Sequence, residues 1–439
     1  MVSRRDVLKN MALFSLTAPM LGTASLACAS SASRSKALVI VMLDGGNDSA
    51  HMVIPTGEHY SQYQAIRPEL AIDEARLLPI PQTGFDHNDQ TVALGLHPKM
   101  TQLAELLNRQ EGNVIVNCGV LREPVTKAQA ETQAYRLPPF LFSHNSQKVE
   151  LAKSAAGHNL TTGWVGRLMD VIRDDSSNID PLFSHAGDAL VLRASTLSQN
   201  IIRGDNIAKL NTGANITQQL DSYLENGWSD PFDATVAQVG RDAIHVAQDL
   251  IDVIDAADEH DAFVYPDTGL GLQCKVTAKL IRSRAALGHQ QQVFFLQLSG
   301  FDTHANQQET LDEKYAELSD ALATFYQHLK VLGLHHDVIT MTMSDFGRRI
   351  PVNGTGTDHG WGGHQLILGG DVQSTQFIGR WPEYNIDGPN MVERGRLLPT
   401  TATDQINIAV ARWLGATETA INHVFPNAIK FEALNILKV

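Results

Sequence analysis

The chain has 439 residues and a formal net charge of −14, with 19% charged and 43% apolar residues. A surface this acidic argues against nucleic acid or anionic lipid as a partner, and three cysteines are too few for a disulfide framework. A chain of this length can be one large domain with insertions.

The first residues carry the paired Arg4-Arg5, then Leu8-Lys9, an uncharged run from Met11 to Ala27 and the small-residue end Ala27-Cys28-Ala29. A basic start, an apolar middle and a small-residue end are the parts of a secretory signal, and the arginine pair points to export by the twin-arginine translocase. The run falls short of the ~20 clean apolar residues that a membrane span needs. Cleavage is expected after Ala29, with lipidation of Cys28 as the alternative. Residues 1–29 take Arg4, Arg5, Lys9 and Asp6 with them, so the formal charge moves to −16. No later run is long enough to span a membrane, so a soluble periplasmic protein is expected. Its remaining Cys118 and Cys274 can pair or stay as buried thiols.

Short apolar runs then alternate with helical patterns to the end of the chain, the signature of an α/β fold. Ala37–Leu43 is continuously apolar, as a strand covered on both faces should be. Runs at 113–118, 189–192, 293–298, 338–343 and 365–368 read the same way. The segment 235–257 reads as a helix. So does 309–330, where Leu311, Tyr315, Leu318, Leu322, Phe325 and Leu329 form one apolar stripe. Residues 194–234, rich in Asn, Gly, Ser and Gln, read as an insertion covering one edge of the sheet.

Four clusters carry candidate chemistry, and three directly follow an expected strand, where open α/β sheets bind ligands. Asp44 ends the first strand and is followed by two glycines, which suits a ligand for a divalent cation or a capping turn. Asp302 and His304, two residues apart, make a carboxylate–imidazole pair of the kind zinc takes, or a solvated loop. Asp345 follows the 338–343 strand, with Arg348 and Arg349 placed to meet an anion or merely solvated. The loop Thr357-Asp-His-Gly-Trp-Gly-Gly-His364 brings Asp358, His359 and His364 together among three glycines, and is the most specific of the four. These seven groups suffice for one ion or a two-metal site. Ser143, placed to start the helix expected over 147–154, is either a cap or a nucleophile, with His144 as its base; water activated by the metal is the other attacker.

These motifs in this order resemble the bacterial domain-of-unknown-function 1501 family, a branch of the alkaline phosphatase and sulfatase superfamily. The resemblance rests on Leu43-Asp-Gly-Gly-Asn-Asp48, Gly95-Leu-His-Pro98, Leu141-Phe-Ser-His-Asn145, Gly163-Trp-Val-Gly-Arg167, Gly300-Phe-Asp-Thr-His304, Ser344-Asp-Phe-Gly-Arg348, Thr357-Asp-His-Gly360 and Leu398-Pro-Thr-Thr401. It implies an alkaline phosphatase-like α/β/α sandwich with a mostly parallel sheet, a single domain over 30–439, and Asp and His ligands around one or two divalent ions, zinc the expected one. The expected activity is metal-dependent hydrolysis of small anionic phosphate or sulfate esters, with Arg348 clamping the anion. Phe346 stands where the superfamily places a histidine. That departure leaves a second reading, a non-catalytic envelope or assembly factor that keeps the fold.

Overall fold

Leu38, Ile40 and Met42 pack into one apolar layer, whereas Ala37, Val39, Val41 and Leu43 pack into another. Alternate side chains of this strand, β1 (Lys36–Asp44), therefore feed cores on both faces of a sheet. The continuous apolar run follows from that: neither face meets water. The computed structural model describes residues 34–154, 160–173, 177–204, 206–207, 214–258 and 263–438, so the expected signal at 1–29 lies outside the described residues. Ser35–Val439 form one compact unit.

The other strands of the sheet are β2 (Gly112–Gly119), β3 (Leu182–Ser184), β4 (Asn200–Arg203), β5 (Asn206–Ile207), β6 (Gln291–Ser299), β7 (Val338–Ser344), β8 (Gly363–Leu368) and β9 (Thr401–Ala402). Their order among the described residues is β9-β2-β8-β7-β1-β6-β3-β4-β5. β1 pairs in parallel with both β6 and β7, while β8 and β5 run against their neighbours. The sheet is thus mostly parallel, as expected. One face carries the helices α1 (Thr101–Asn108), α5 (Gly269–Arg282) and α6 (Gln307–Val331). The other carries α3 (Trp164–Ile172) and α7 (Thr403–Leu414), while α2 (His144–Lys153) lies over the carboxyl edge. The helix expected over 235–257 is α4, Pro231–Asp258.

One expectation changes and one open choice closes. The 189–192 run is not a strand; Leu190–Leu192 is a 3₁₀ turn with Leu192 fully buried. Four apolar residues satisfy either geometry, and packing decides: the Gly163 amide donates to the Arg193 carbonyl at 2.8 Å, seating this turn against α3. Cys118 and Cys274 are both free, buried thiols on opposite faces of the sheet, so no disulfide forms. Burial pushes the Cys118 thiol up to about 12. Sequence periodicity also passed over a three-stranded antiparallel sheet made by Val53–Thr56, Leu78–Phe85 and Thr91–Leu96. Within 194–234, β4 and β5 extend the sheet edge beyond β3. Among the described residues no helix is long and apolar enough to cross a membrane.

Candidate metal centre

Strand register gathers the motifs. Asp44 lies level with Ser299 and Leu43 with Ser344, so the chain leaves β1, β6 and β7 at one edge. Asp302 and Asp345 come just after those strands. Because β8 is antiparallel to β7, the loop preceding β8 returns to the same edge. Residues 347–349 and 358–361 form a small ladder there, with the Gly347 amide on the Trp361 carbonyl and the Gly360 amide on the Gly347 carbonyl, both at 2.8 Å. A Cβ at Gly360 would stand 2.5 Å from the Arg348 carbonyl carbon, so glycine is what lets His359 come this close. Gly45, at φ +119°, does the same for the turn after β1, where a Cβ would sit 2.5 Å from the Asp302 amide nitrogen.

His144, Asp302 and His359 converge at this edge. The Nε2 atoms of His144 and His359 are 3.1 Å apart; His359 Nε2 is 3.3 Å from Asp302 Oδ1, and His144 Nε2 is 3.5 Å from Asp302 Oδ2. His304 adds a fourth donor, with Nε2 at 3.1 Å from His359 Nε2 and 3.1 Å from Asp302 Oδ1. The outer nitrogens settle the tautomers. His144 Nδ1 faces Asp345 Oδ2 at 2.7 Å, and His359 Nδ1 faces the Phe142 carbonyl at 2.8 Å. A carboxylate and a carbonyl only accept, so each Nδ1 carries a proton, and a neutral ring then offers its Nε2 lone pair. Burial lowers the His359 pKa below the ordinary imidazole value, with Arg348 and His144 adding to it. The ring is therefore neutral near pH 7, as a metal ligand must be. Two lone pairs 3.1 Å apart need a proton or a cation between them. Donors about 2.0–2.1 Å from a tetrahedral zinc stand about 3.3 Å from one another, close to the separations here. The residues fit the ion.

Arg348 holds Asp302 in place. Its Nη1 donates to Asp302 Oδ1 at 2.7 Å, Nε donates to Thr357 Oγ1 at 3.2 Å, and Nη2 bonds the Thr357 carbonyl. Burial disfavours an ionised Asp302, but the hydrogen bond and charge of Arg348 hold its carboxyl below the usual range. With Arg348 only 1% exposed and its fork already engaged, it does not serve as the expected anion clamp. The support continues inward. Thr357 Oγ1 donates to Gln307 Oε1 at 2.7 Å, and Gln307 Nε2 reaches Asp48, which is buried in an ion pair with Arg67.

The remaining candidates lie apart from the three-residue group. His364 is not a ligand. A bulge between Gly363 and Gln365 turns it inward, where Nδ1 accepts from the Asn117 amide at 3.1 Å and Nε2 lies 3.1 Å from the Tyr384 hydroxyl. Burial pulls its pKa down to about 3. Asp358 is bound by Asn353 and Arg349, at 2.9 and 2.7 Å, and its nearest approach to His304 is 3.9 Å. Those same partners keep its carboxyl below the usual range, Asn353 first. Arg349 is spent on Asp358 and the Arg394 carbonyl. Asp345 backs His144. Asp44 pairs with Lys148 and accepts from Gln297 at 2.7 Å. The Lys148 ammonium also stands 3.6 Å from Asp345 Oδ2, so it sits between the two carboxylates from which a second ion would be held. Although burial alone would favour neutral Lys148, both carboxylates hold its pKa above the ordinary value.

The sequence reading missed Lys148, although it lies one helical turn after His144 and so shares its face of α2. It also missed the Phe142 carbonyl. Phe140 and Phe142 have φ of +47° and +71°, and non-glycine residues there cost energy and gather at functional sites. Phe346 packs its ring on His144 and His359 at centroid distances of 4.6 and 4.8 Å, so apolar contact replaces a ligand at that position. Ser143 precedes α2 but makes no capping hydrogen bond with its side chain. His144 does not serve as its base, because both ring nitrogens face other groups.

Asp345→Asn keeps the size of the side chain but removes the charge behind His144. Zinc affinity is expected to fall 10- to 100-fold, roughly the cost of losing a partner that orients a ligand. A chelator-competition titration reads this directly, and unchanged affinity would remove Asp345 from the centre.

No curated protein matches the sequence. Among solved structures, a protein of the alkaline phosphatase superfamily from Vibrio parahaemolyticus is 11% identical with a TM-score of 0.35, covering 80% of this chain and 64% of that one. The chain thus spans less than two thirds of that protein's length. The lipoteichoic acid synthase LtaP from Listeria monocytogenes is 10% identical, TM-score 0.36, with 88% and 73% covered. The C-terminal periplasmic domain of EcEptC from Escherichia coli, in complex with Zn, is 9% identical, TM-score 0.32, with 76% and 73% covered. Likenesses of this strength establish no shared chemistry. A family profile described as "Protein of unknown function (DUF1501)" matches residues 35–401, a span holding every group of the centre, and the chain belongs to that family.

Proposed function

We propose that this protein is a metal-dependent hydrolase of phosphate or sulfate esters, exported by the twin-arginine translocase and active in the periplasm. The observation that carries the reading is the convergence of two imidazole Nε2 atoms on the Asp302 carboxylate, with both outer nitrogens tied off. His144, Asp302 and His359 would hold one divalent ion, zinc being the one expected from imidazole and carboxylate donors, with His304 as a fourth donor. When bound, the ion supplies Lewis-acid polarisation of the ester and neutralises charge on its leaving oxygen. Asp345 and the Phe142 carbonyl keep the imidazoles in register, and Arg348 keeps Asp302 ionised. The Lys148 ammonium supplies the second positive charge, which favours a count of one ion. The Ser143 hydroxyl, free of a capping bond beside His144, is the candidate nucleophile.

Zinc-loaded mature protein is expected to hydrolyse 4-nitrophenyl phosphate or 4-nitrophenyl sulfate. Chelation should lower the rate at least about 100-fold, the scale on which a single electrostatic element of a site acts. Ser143→Ala separates the attackers: a comparable loss assigns the serine, and full activity assigns water. A zinc-loaded protein inert towards both esters would instead support a non-catalytic envelope factor. Phe346 against the two histidines is the observation that favours that second reading.

A further inference from the structure

At the same edge of the sheet, and lined by Asp44 and Lys148, lies a cavity of about 260 Å³. Its floor is the carboxyl end of the sheet, where Met42 of β1 and Met343 of β7 are register partners and Phe295 of β6 adjoins them. Val149 and Ala152 of α2 form one wall, and the turn containing Leu190 closes another. The polar side chains around it are spent on partners. Lys148 and Gln297 both bind Asp44, and Asp188 accepts from Arg193 and Gln199 at 2.6 and 2.9 Å. What remains for an occupant is apolar surface. Met42 and Met343 contribute to it, and the flexible thioether adapts to ligands of varied shape.

Size and position then define the occupant. An apolar cavity of about 150 Å³ holds a benzene ring, so this one has room for an aryl ring or a short alkyl chain. Lys148 joins the cavity to the centre: it lines the wall, and its ammonium is 3.6 Å from the Asp345 oxygen that His144 Nδ1 faces at 2.7 Å.

We propose that this cavity takes the apolar group of the substrate, so that the ester cleaved carries a short alkyl chain or aryl ring beside its anionic head. The assignment rests on the reading of the centre as an anion-ester site. It excludes small sugar phosphates and other wholly polar esters as the preferred class, because their hydroxyls would lose water here without gaining partners.

The test is a calorimetric series of methyl, butyl and hexyl phosphate on the zinc-loaded mature protein. Each buried methylene should tighten binding roughly four-fold, so butyl phosphate should bind roughly 60-fold more tightly than methyl phosphate. Ala152→Phe fills the cavity and should flatten the series. Three equal affinities in the unmodified protein would overturn the cavity while leaving the centre standing. No affinity for any member, methyl phosphate included, would overturn the anion-ester reading and the cavity with it.

Discussion

The double variant His144→Ala, His359→Ala is expected to fold and to hold no zinc after dialysis. Both side chains are about one quarter exposed, 24% and 25%, and line the edge of the sheet rather than its core, so little packing is lost. The loss of binding is large. A four-donor zinc site is worth about 10–16 kcal/mol at pH 7, and removing two donors forfeits on the order of half of it. At 1.4 kcal/mol per factor of ten, that is a fall of about 10⁴-fold or more. His364→Gln is the companion variant: it lies in the same glycine-rich loop yet should retain zinc, because its ring is bonded to Asn117 and Tyr384 in the interior. Elemental analysis and chelator competition measure both. Stoichiometric zinc in the double variant would sink the assignment, as would its loss from a folded His364→Gln protein.

A second large effect is acid instability. His51 and His364 are buried and neutral, with pKa values pulled down by burial to about 4 and about 3. Among the described residues neither ring nitrogen of His51 has a hydrogen-bond partner, and the Arg67 charge further opposes its protonation. In the unfolded chain each ring titrates at about 6.5. Above that pH neither state carries the proton and the full stability is present. Below it the unfolded state binds protons that the folded state refuses, so stability falls as pH drops from about 6.5 towards about 4. Each histidine contributes a slope of up to about 1.4 kcal/mol per pH unit, so the pair contributes about 3 at the steepest. Urea unfolding of metal-free protein at pH 7.5, 5.5 and 4.5 should show the midpoint falling steeply. The variant His51→Leu, His364→Gln should be less stable at pH 7.5 and less sensitive to acid. A midpoint independent of pH over that range would refute the account.

The buried strands were legible because their chemistry is local. A run such as Ala37–Leu43 has no polar atom to place in water, so it must be covered on both faces. Residues that end such runs, Asp44 and Asp345, were recognised as lying at the ligand edge for the same reason. The 189–192 run shows where that logic stops: four apolar residues fit a strand or a turn equally, and contact with α3 chose the turn. The antiparallel sheet spanning residues 53–96 escaped because its half-covered strands carry a weaker pattern than fully buried ones.

The candidate centre divides along the same line. By itself the sequence determined that carboxylates and histidines gather where strands end, and that this is a family chain with an α/β sandwich. Residue type and the distance of each residue from a strand end are properties of the chain. Which nitrogen faces which oxygen was decided only by tertiary structure. His359 and His364 are five residues apart in one loop, yet a ladder to residues 347–349 holds the first at the edge and a bulge turns the second into the core. Lys148 stands between Asp44 and Asp345 only because α2 crosses the edge where β1 and β7 end. Arg348 carries a guanidinium suited to anions, but it is enclosed by Thr357 and Asp302, so burial made it a support. These outcomes depend on pairing between segments up to some 300 residues apart in sequence, and no local pattern encodes a register of that range.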